Sequence, residues 1–270
     1  MTSPSVAAEP AKARLSPRKK QRIIRVTQYT VLIVAALFVL LYVDWPSLAD
    51  VFAKPKVAEK MLPELFTIAL ANTVIYTAGG FALSFVFGLL LALMKMSEVR
   101  PYRWIANIYI EIFRGLPAVL VFIMITFIPL AFHGTDIPGG ITGKAIFGLA
   151  LIGTAYQAEV FRAGLLAVPK GQTEAARSLG MSAIRAQFTV VIPQAIRIVI
   201  PPTTNQLVAL LKDSSLVQFI GVSSAYVELA KYGNDVASQY SNGTPIMVAG
   251  LTYLIVTIPL GLLARRLEKR

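Results

Sequence analysis

Six long apolar stretches, separated by short polar or charged segments, form the pattern of this chain. A helix that crosses a bilayer needs about 20 mostly apolar residues. Two stretches of roughly that length or more, Val26 to Val43 and Leu65 to Met94, carry no charge. The other predicted helices run from Ile105 to Phe132, from Lys144 to Leu166, from the following loop past Pro193, Pro201 and Pro202, and from Pro245 to Ala264. The pattern therefore predicts an all-α integral membrane protein with six transmembrane helices.

Small and polar residues in the second stretch suggest how its helix packs. Gly80, Ser84 and Gly88 recur at every fourth position, which places them on one helix face and lets another helix approach closely. Asn72 and Thr73 precede them on the same predicted helix. These two side chains either line a polar path or form hydrogen bonds between helices, and the sequence leaves both interpretations open.

Three prolines mark the fifth predicted helix, at positions 193, 201 and 202. Proline lacks the backbone N–H of a helix and its ring clashes with the preceding turn. We therefore predict that this helix is not one straight span. Interrupted helices at membrane depth are tolerated where they are buried in protein or line a wet cavity.

Composition and the position of the charges agree with a membrane protein. Hydrophobic residues make up 56% of the 270 residues and charged residues only 15%, with a net charge of +12. The basic residues lie between the apolar stretches and at both ends, the distribution found on the cytoplasmic side of membranes. We therefore expect both termini in the cytoplasm and no nucleic-acid partner. The chain contains no cysteine and only His133, which excludes disulfides, thiolate metal sites and His-rich metal sites.

The same pattern predicts an organisation along the chain. We expect a basic, disordered cytoplasmic tail over residues 1–25, an N-terminal transmembrane helix over 26–45 and an outer-surface segment over 46–64. A helical core follows over residues 65–266, with a cytoplasmic loop at 166–193 and a cytoplasmic C-terminus at 267–270. A turn rich in Gly and Pro, at 133–140, and an amphipathic segment, at 225–240, are expected on the outer side.

The stretch from Lys170 to Ile196 interrupts the apolar pattern with small and polar residues. An Ala-rich, helix-favouring run ends before Gly180, where a helix commonly terminates in the left-handed conformation. Ser182 can then cap a second helix. The small side chains of Ala175 and Ala176 would let a partner surface approach the first helix closely. The stretch therefore predicts a helix, a sharp turn and a second helix at a membrane surface.

This stretch resembles the EAA loop of ABC importer permeases, in which Glu-Ala-Ala, a glycine and Ile-Pro recur at fixed offsets. Here these elements are Glu174-Ala175-Ala176, Gly180 and Ile192-Pro193. In that family the loop helix docks onto a separate ATPase, whereas the simpler alternative is an ordinary amphipathic linker. The resemblance implies ATPase-coupling roles for Gly171, Glu174, Ala175, Ala176, Arg177, Leu179, Gly180 and Pro193.

Two further blocks resemble the polar amino acid branch of that family, the histidine, glutamine, glutamate and arginine type of permease. One contains Glu111 and Arg114, three residues apart, which we expect to pair on one helix face. The other is Leu211-Lys212-Asp213-Ser214-Ser215-Leu216, which in the family lies beside the translocation pathway; an internal Lys212–Asp213 interaction is the alternative. The predicted pathway residues are Asn72, Thr73, Glu111, Arg114, Gln206, Lys212, Asp213, Ser214 and Ser215.

The resemblance implies a multi-pass permease subunit in the cytoplasmic (inner) membrane of a bacterial cell. It would import a polar or charged amino acid by alternating access. The implied partners are two copies of a cytoplasmic P-loop ATPase, a second permease that is identical or different, and an extracytoplasmic amino-acid-binding protein. ATP and Mg would be bound by the ATPase, because G-x-x-x-x-G-K-[ST] is absent here and the chain is expected to hold no cofactor. The alternatives are an ATP-independent secondary carrier or channel and, with least support, a membrane enzyme.

Overall fold

The computed structural model describes residues 16–132 and 134–268, and every regular element in these two ranges is helical. His133 and the two ends of the chain lie outside the described residues. The α-helices are α1 (Pro17–Tyr42), α2 (Trp45–Phe52), α3 (Pro55–Glu64), α4 (Ala71–Met96), α5 (Arg100–Gly115), α6 (Ala118–Ile125), α7 (Ile128–Ala131), α8 (Gly140–Ala167), α9 (Lys170–Ser178), α10 (Ala183–Ala186), α11 (Ile192–Asp213), α12 (Leu229–Tyr240) and α13 (Thr244–Glu268). The π-helical turns Leu65–Leu70 and Gln187–Val191 and the 3₁₀ segments Ser214–Ile220 and Ser224–Tyr226 connect several of them.

Several of these helices are long and apolar enough to cross a membrane. In the described part of the chain, four segments meet that description: Pro17–Tyr42, Trp45–Met96, Ala183–Ile220 and Thr244–Leu267. The bent pair α5 and α6 raises the number to five when it is counted as one span. The all-α membrane class is therefore confirmed, and the six-helix topology stays a prediction.

The described residues divide into two compact units, of which the first ends at Asp50 and the second begins at Val51. In the first unit, α1 begins at Pro17, a favourable first residue of a helix, and the Ser16 hydroxyl accepts a hydrogen bond from the Lys19 amide. Residues 17–25 are thus helical, and the prediction of a disordered tail is wrong for them. No residue of α1 is buried. A helix that presents an apolar surface all round suits a lipid environment.

Close packing of α4 against α8 forms the centre of the second unit. A Cβ atom on Gly80 would lie 2.5 Å from Leu149 Cβ, and one on Gly88 would lie 2.8 Å from Gln157 Cβ. The step of eight residues along α4 matches a step of eight along α8, so the two helices run in the same direction. The predicted small face of residues 80, 84 and 88 is confirmed as a helix contact, and all three are buried.

The second unit continues with α11 against α8 and α13 against α12. Gly164 lies against Val199, and the buried Gln157 Nε2 donates a 2.8 Å hydrogen bond to Thr203 Oγ1. Moving backward along α8 therefore corresponds to moving forward along α11, which makes the pair antiparallel. As a result, the C-terminal ends of α4 and α8 and the start of α11 lie at one end of the bundle.

The third predicted helix is broken, which corrects the expectation of one span from 105 to 132. The chain bends by 104° between α5 and α6. Leu116 is extended, with φ −80° and ψ 138°, and Pro117 follows at φ −59°. The residue before a proline avoids the helical region, so the break falls at this position. A third short helix, α7, begins at Ile128.

The prolines of the fifth predicted helix have a smaller effect than expected, which is a second correction. α11 is continuous over Pro201 and Pro202, and Pro193 occupies its first turn, where the missing N–H has no helical partner. The irregular backbone lies earlier, in the π-helical turn Gln187–Val191. The local distortion therefore precedes the prolines at the end that also carries α9.

Candidate functional site

Helix α9 and the turn after it form the element predicted to couple to an ATPase. α8 ends at Ala167, and only Val168 and Pro169 separate it from α9. Pro169 has φ −58° and ψ 132°, an extended conformation that turns the chain out of α8. A connection of two residues therefore joins α8 to α9.

Gly180 ends the helix in the geometry that the sequence predicted. Its φ is +86°, in the left-handed region that glycine adopts without steric cost. The Met181 amide donates to the Ala176 carbonyl at 3.2 Å, and the Gly180 amide donates to the Arg177 carbonyl at 3.0 Å. This pair of hydrogen bonds defines a Schellman turn. Ser182 then caps α10 by accepting a hydrogen bond from the Arg185 amide, as expected.

The exposed surface of this element includes several large apolar side chains. Leu179 is 82% exposed, Ile184 is 73% exposed and Phe188 is 67% exposed. Large apolar side chains on a helix-turn-helix surface favour contact with a partner or a lipid boundary. Gly171, Glu174, Ala175, Arg177 and Pro193 are exposed as well.

Ala176 differs from the prediction that both alanines face a partner. It is 5% exposed and thus buried within the chain itself, whereas Ala175 is open. Adjacent helical residues point about 100° apart, so one alanine faces the bundle when the other faces outward. Gln194 Nε2 also donates a 3.4 Å hydrogen bond to Gln172 Oε1, which fastens α9 to the start of α11.

A buried polar cluster lies at the opposite end of the bundle, and we call its members Thr73, Ser214, Glu228 and Tyr253 the Glu228 cluster. The Glu228 carboxylate accepts hydrogen bonds from the amides of Ala230 at 2.6 Å and Lys231 at 2.8 Å, and from the Tyr253 hydroxyl at 2.9 Å. The hydroxyls of Thr73 and Ser214 also lie around that tyrosine. Glu228 thereby caps α12 and ties it to α13.

Burial affects the protonation of Glu228, which lies outside the membrane-spanning segments. Its residue exposure is 0%, and desolvation raises the pKa of its carboxyl above the ordinary value of 4.5. The hydrogen bonds from the Ala230 and Lys231 amides and the Tyr253 hydroxyl, together with the charge of Lys231, offset part of this rise in the pKa. The sequence analysis missed this residue because it treated residues 225–240 as a surface segment. A Glu directly before a predicted helix start is the signal that could have identified it.

Two predicted pathway residues serve the packing of this end. Asn72 Nδ2 donates to the carbonyls of Ala225 and Val227, each at 3.0 Å. The Thr73 hydroxyl donates to the Ala69 carbonyl at 2.8 Å and accepts from the Leu229 amide at 3.2 Å. These contacts are of the hydrogen-bonding kind that the sequence left open, and a pathway role for the two residues stays a prediction.

The Lys212 to Ser215 motif straddles the end of α11. Lys212 is exposed, Gln206, Asp213 and Ser215 are half-buried, and Ser214 is buried with its hydroxyl donating to the Leu211 carbonyl at 2.7 Å. No Lys212–Asp213 ion pair occurs in the described part of the chain. The structure therefore brings Ser214 to the Glu228 cluster and leaves the Lys212 ammonium at the surface.

Glu111 and Arg114 do not form the ion pair that their spacing predicts. Among the described residues, the ion pairs do not include them. The Arg114 guanidinium instead lies over the ring of Tyr156, 5.7 Å from its centroid, and Glu111 is exposed. Arginine stacks favourably on an aromatic face, which competes with the carboxylate for the same guanidinium.

Comparison with known proteins identifies the family of this chain. Residues 84–270 match the family described as binding-protein-dependent transport system inner membrane component. The chain belongs to this family. The match includes α8, α9, α11 and the Gly180 turn, so the coupling element and most of the bundle lie inside it.

Individual relatives belong to the amino acid permeases of this family. The chain is 34% identical to the L-cystine transport system permease protein TcyB of Bacillus subtilis (strain 168), covering 78% of this chain and 89% of that protein. It is 38% identical to the probable glutamine ABC transporter permease protein GlnP of the same organism, covering 70% and 85%. The resemblance to polar amino acid ABC permeases that the motifs indicated is thereby confirmed.

Solved structures agree with these relatives. An amino acid ABC transporter crystallised with histidines superposes with a TM-score of 0.71 at 32% identity, covering 81% of this chain and 99% of that one. A bacterial alginate ABC transporter superposes with a TM-score of 0.66 at 16% identity, over 94% and 99%, and shares the fold alone. This member of the family is therefore an ABC importer permease, and the alternative of a secondary carrier or channel is not supported.

Proposed function

We propose that this permease carries a polar or charged amino acid across the cytoplasmic membrane by alternating access. The observation that carries the proposal is the combination of the family match with α9, a short helix that ends in a Schellman turn and presents Leu179 and Glu174 outward. The names of the relatives, which specify cystine and glutamine, support an amino acid as the transported molecule.

The proposed topology has six membrane-spanning segments with both termini in the cytoplasm. The parallel direction of α4 and α8 supports it, because the second and fourth of six spans must run the same way. The bent pair α5 and α6 would form the third span. The loop at 166–193, with α9, would then lie in the cytoplasm, and the Glu228 cluster near the outer surface. The proposed permease core is 65–266, preceded by the span at 26–45 and the outer-surface segment at 46–64.

The proposed assembly contains two permease subunits, two copies of a P-loop ATPase and an extracytoplasmic binding protein. In this assembly ATP and Mg belong to the ATPase, and the permease supplies no cofactor site. Closure of the ATPase pair would push the exposed face of α9. The push biases the permease toward one of two states only when the ATPase binds those states with different affinity.

The proposed translocation path passes Gln206, Lys212, Asp213 and Ser215 at the end of α11, with Glu111 and Arg114 as further candidates. The exposed Lys212 ammonium suits a substrate carboxylate, and the half-buried Asp213 carboxylate suits a substrate amino group. Both charges of an amino acid zwitterion thus find an opposite charge on adjacent residues.

Substrate-stimulated ATP hydrolysis tests this proposal. The permease is expressed with its partner ATPase, purified together with it and placed in lipid vesicles with binding protein and a panel of amino acids. We expect a subset of polar amino acids to raise the hydrolysis rate, while apolar amino acids leave it at the basal level. Stimulation by sugars or by no amino acid would overturn the proposed substrate class.

A further inference from the structure

A three-residue ion network joins α4 to α8 at the end of the bundle that carries α9. Glu159 Oε1 accepts a 2.6 Å hydrogen bond from Lys95 Nζ. Glu159 Oε2 accepts from Arg162 Nε at 3.0 Å and from Arg162 Nη2 at 2.9 Å. Each oxygen of the carboxylate is thus held by a different cation, and we call these three residues the Glu159 network.

The network is more enclosed than an ordinary surface ion pair. The side chains of Lys95, Glu159 and Arg162 are 21%, 19% and 33% exposed. Exposed pairs contribute little because water screens them and their side chains lose conformational freedom. In a partly buried pair, loss of one partner leaves a poorly hydrated charge without compensation, so the remaining charges favour a rearrangement.

The Glu159 network lies at the C-terminal ends of α4 and α8, close to the start of α9. Lys95 lies in the last turn of α4, which ends at Met96. Glu159 and Arg162 lie in the last part of α8, and only Val168 and Pro169 separate that helix from α9. The close contacts at Gly80 and Gly88 already hold the earlier parts of α4 and α8 together. The network extends this connection toward the end where α9 leaves the bundle.

We propose that Glu159 is a positioning residue that makes the end of α4 move with α8 when α9 is displaced. Energetic coupling between distant sites travels through packed elements that keep two discrete arrangements. Without the network, α8 would follow α9 while the last turn of α4 stayed behind, and ATP would be hydrolysed with less transport. This proposal rests on the proposed coupling of α9 to an ATPase.

The test measures amino acid uptake per ATP hydrolysed in the vesicles described above, together with the melting temperature of each variant. Glu159→Gln and Lys95→Met should each lower uptake per ATP by about fivefold or more, the lower range of coupling between sites. Lys95→Arg keeps the charge and should keep the ratio close to that of the unchanged protein. Lys231→Met, which breaks the Lys231–Asp235 ion pair of α12, is the matched control and should leave the ratio unchanged.

The triple variant Lys95→Met, Glu159→Gln, Arg162→Gln separates positioning from a merely structural role. It removes all three charges, so no cation of the network is left without its carboxylate, and the melting temperature should recover relative to Glu159→Gln. The positioning role predicts that uptake per ATP stays low in the triple variant. Recovery of both quantities would show that the network only stabilises the fold and would overturn the proposal.

Two further outcomes complete the test. Single variants with unchanged uptake per ATP would also overturn the proposal. If Glu159→Gln does not reach the membrane, Lys95→Met alone tests the contact between α4 and α8. Arg162→Gln leaves the Lys95–Glu159 contact in place and should keep uptake per ATP closer to that of the unchanged protein. Failure of the proposed function itself looks different, because the unchanged protein would then show no ATP-dependent uptake at all.

Discussion

At the scale of single residues, the backbone of Gly180 is the feature on which the α9 turn depends. Its φ of +86° lies in the left-handed region, and a Cβ atom there would meet nothing within 4 Å. A substitution is therefore disfavoured by backbone conformation and not by a clash. The left-handed conformation costs most L-residues roughly 1–2 kcal/mol and β-branched residues more.

We expect Gly180→Val to reduce uptake strongly while the protein still reaches the membrane. The strained turn would reorient α9 relative to the ATPase. Gly180→Asn is the control, because asparagine tolerates the left-handed region and should retain most activity. Uptake in vesicles and the amount of ATPase that copurifies measure the effect. Equal uptake by the valine variant and the unchanged protein would argue against α9 as the coupling element.

The Lys212 ammonium gives a prediction about substrate contact. Lys212→Ala should raise the KM for uptake by about tenfold or more, the range expected for a lost hydrogen bond to a charged group. Basal ATP hydrolysis should stay unchanged because Lys212 lies at the C-terminal end of α11, whereas α9 contacts the start of that helix. The control is Lys231→Ala on α12. An unchanged KM would remove Lys212 from the proposed path.

Glu228 gives a prediction about pH. Burial raises the pKa of its carboxyl above 4.5 in the folded protein, so the folded state holds the proton more tightly than the unfolded state does. Stability from this group is therefore present at low pH and is lost as pH rises from about 4.5 toward the raised pKa. Glu228→Gln lacks this dependence.

The melting temperature of Glu228→Gln, minus that of the unchanged protein, should accordingly rise with pH across that window. Thermal unfolding in detergent at a series of pH values measures the difference. Asp235→Asn, an exposed carboxylate on the same helix, is the control for a general charge effect. A difference that falls with increasing pH would contradict the assignment of a raised pKa.

At the scale of elements, the contact between α4 and α8 decides whether the bundle forms. Gly88→Ala would place a Cβ atom 2.8 Å from Gln157 Cβ and 3.1 Å from the Ala158 amide nitrogen. Because one neighbour is backbone, the helices must separate, at a cost of about 1–3 kcal/mol. Gly261→Ala on α13 meets nothing within 4 Å and is the matched control.

We expect a lower melting temperature for Gly88→Ala and an unchanged or slightly higher one for Gly261→Ala. The control gains helix propensity of up to about 1 kcal/mol without a new contact. Tryptophan or tyrosine fluorescence on heating in detergent measures both. Similar melting temperatures for the two variants would show that close approach at position 88 is not needed.

The elements also show which features the sequence could predict. Charge-free stretches and the small face of α4 follow from composition and spacing, and the Gly180 turn follows from glycine chemistry, so all of these were correct. The break at Leu116–Pro117 and the continuity of α11 across Pro201 were predicted wrongly. The break could have been predicted from Pro117, because the residue before a proline avoids the helical region. The continuity of α11 depends on whether neighbouring turns compensate for a missing N–H, which spacing along the chain does not reveal.

Contacts between residues that are far apart in the sequence could not be predicted either. Lys95 and Glu159 are 64 residues apart, and Glu228 and Tyr253 are 25 residues apart. Their proximity arises from the packing of α4 on α8 and of α12 on α13. The spacing of Glu111 and Arg114 predicted an ion pair that does not form, because Tyr156 offers a competing surface. Glu159 and Arg162, at the same spacing, do form one.

At the scale of the whole molecule, the second unit has two polar regions at opposite ends. α9 and the Glu159 network lie where α4 and α8 end, and the Glu228 cluster lies where α4 begins. The apolar middle of α4, α8 and α11 connects them. Such an arrangement suits a protein in which a push at one end changes access at the other, as alternating access requires.

The most direct test of this account is uptake of the amino acid into vesicles that contain the permease with its ATPase, with and without ATP on the side that exposes α9. The account predicts uptake against a gradient only with ATP, and loss of uptake when residues 174–180 are deleted although the permease remains in the membrane. Equal uptake without ATP, or without the ATPase, would contradict the central claim that α9 couples this permease to a separate ATPase.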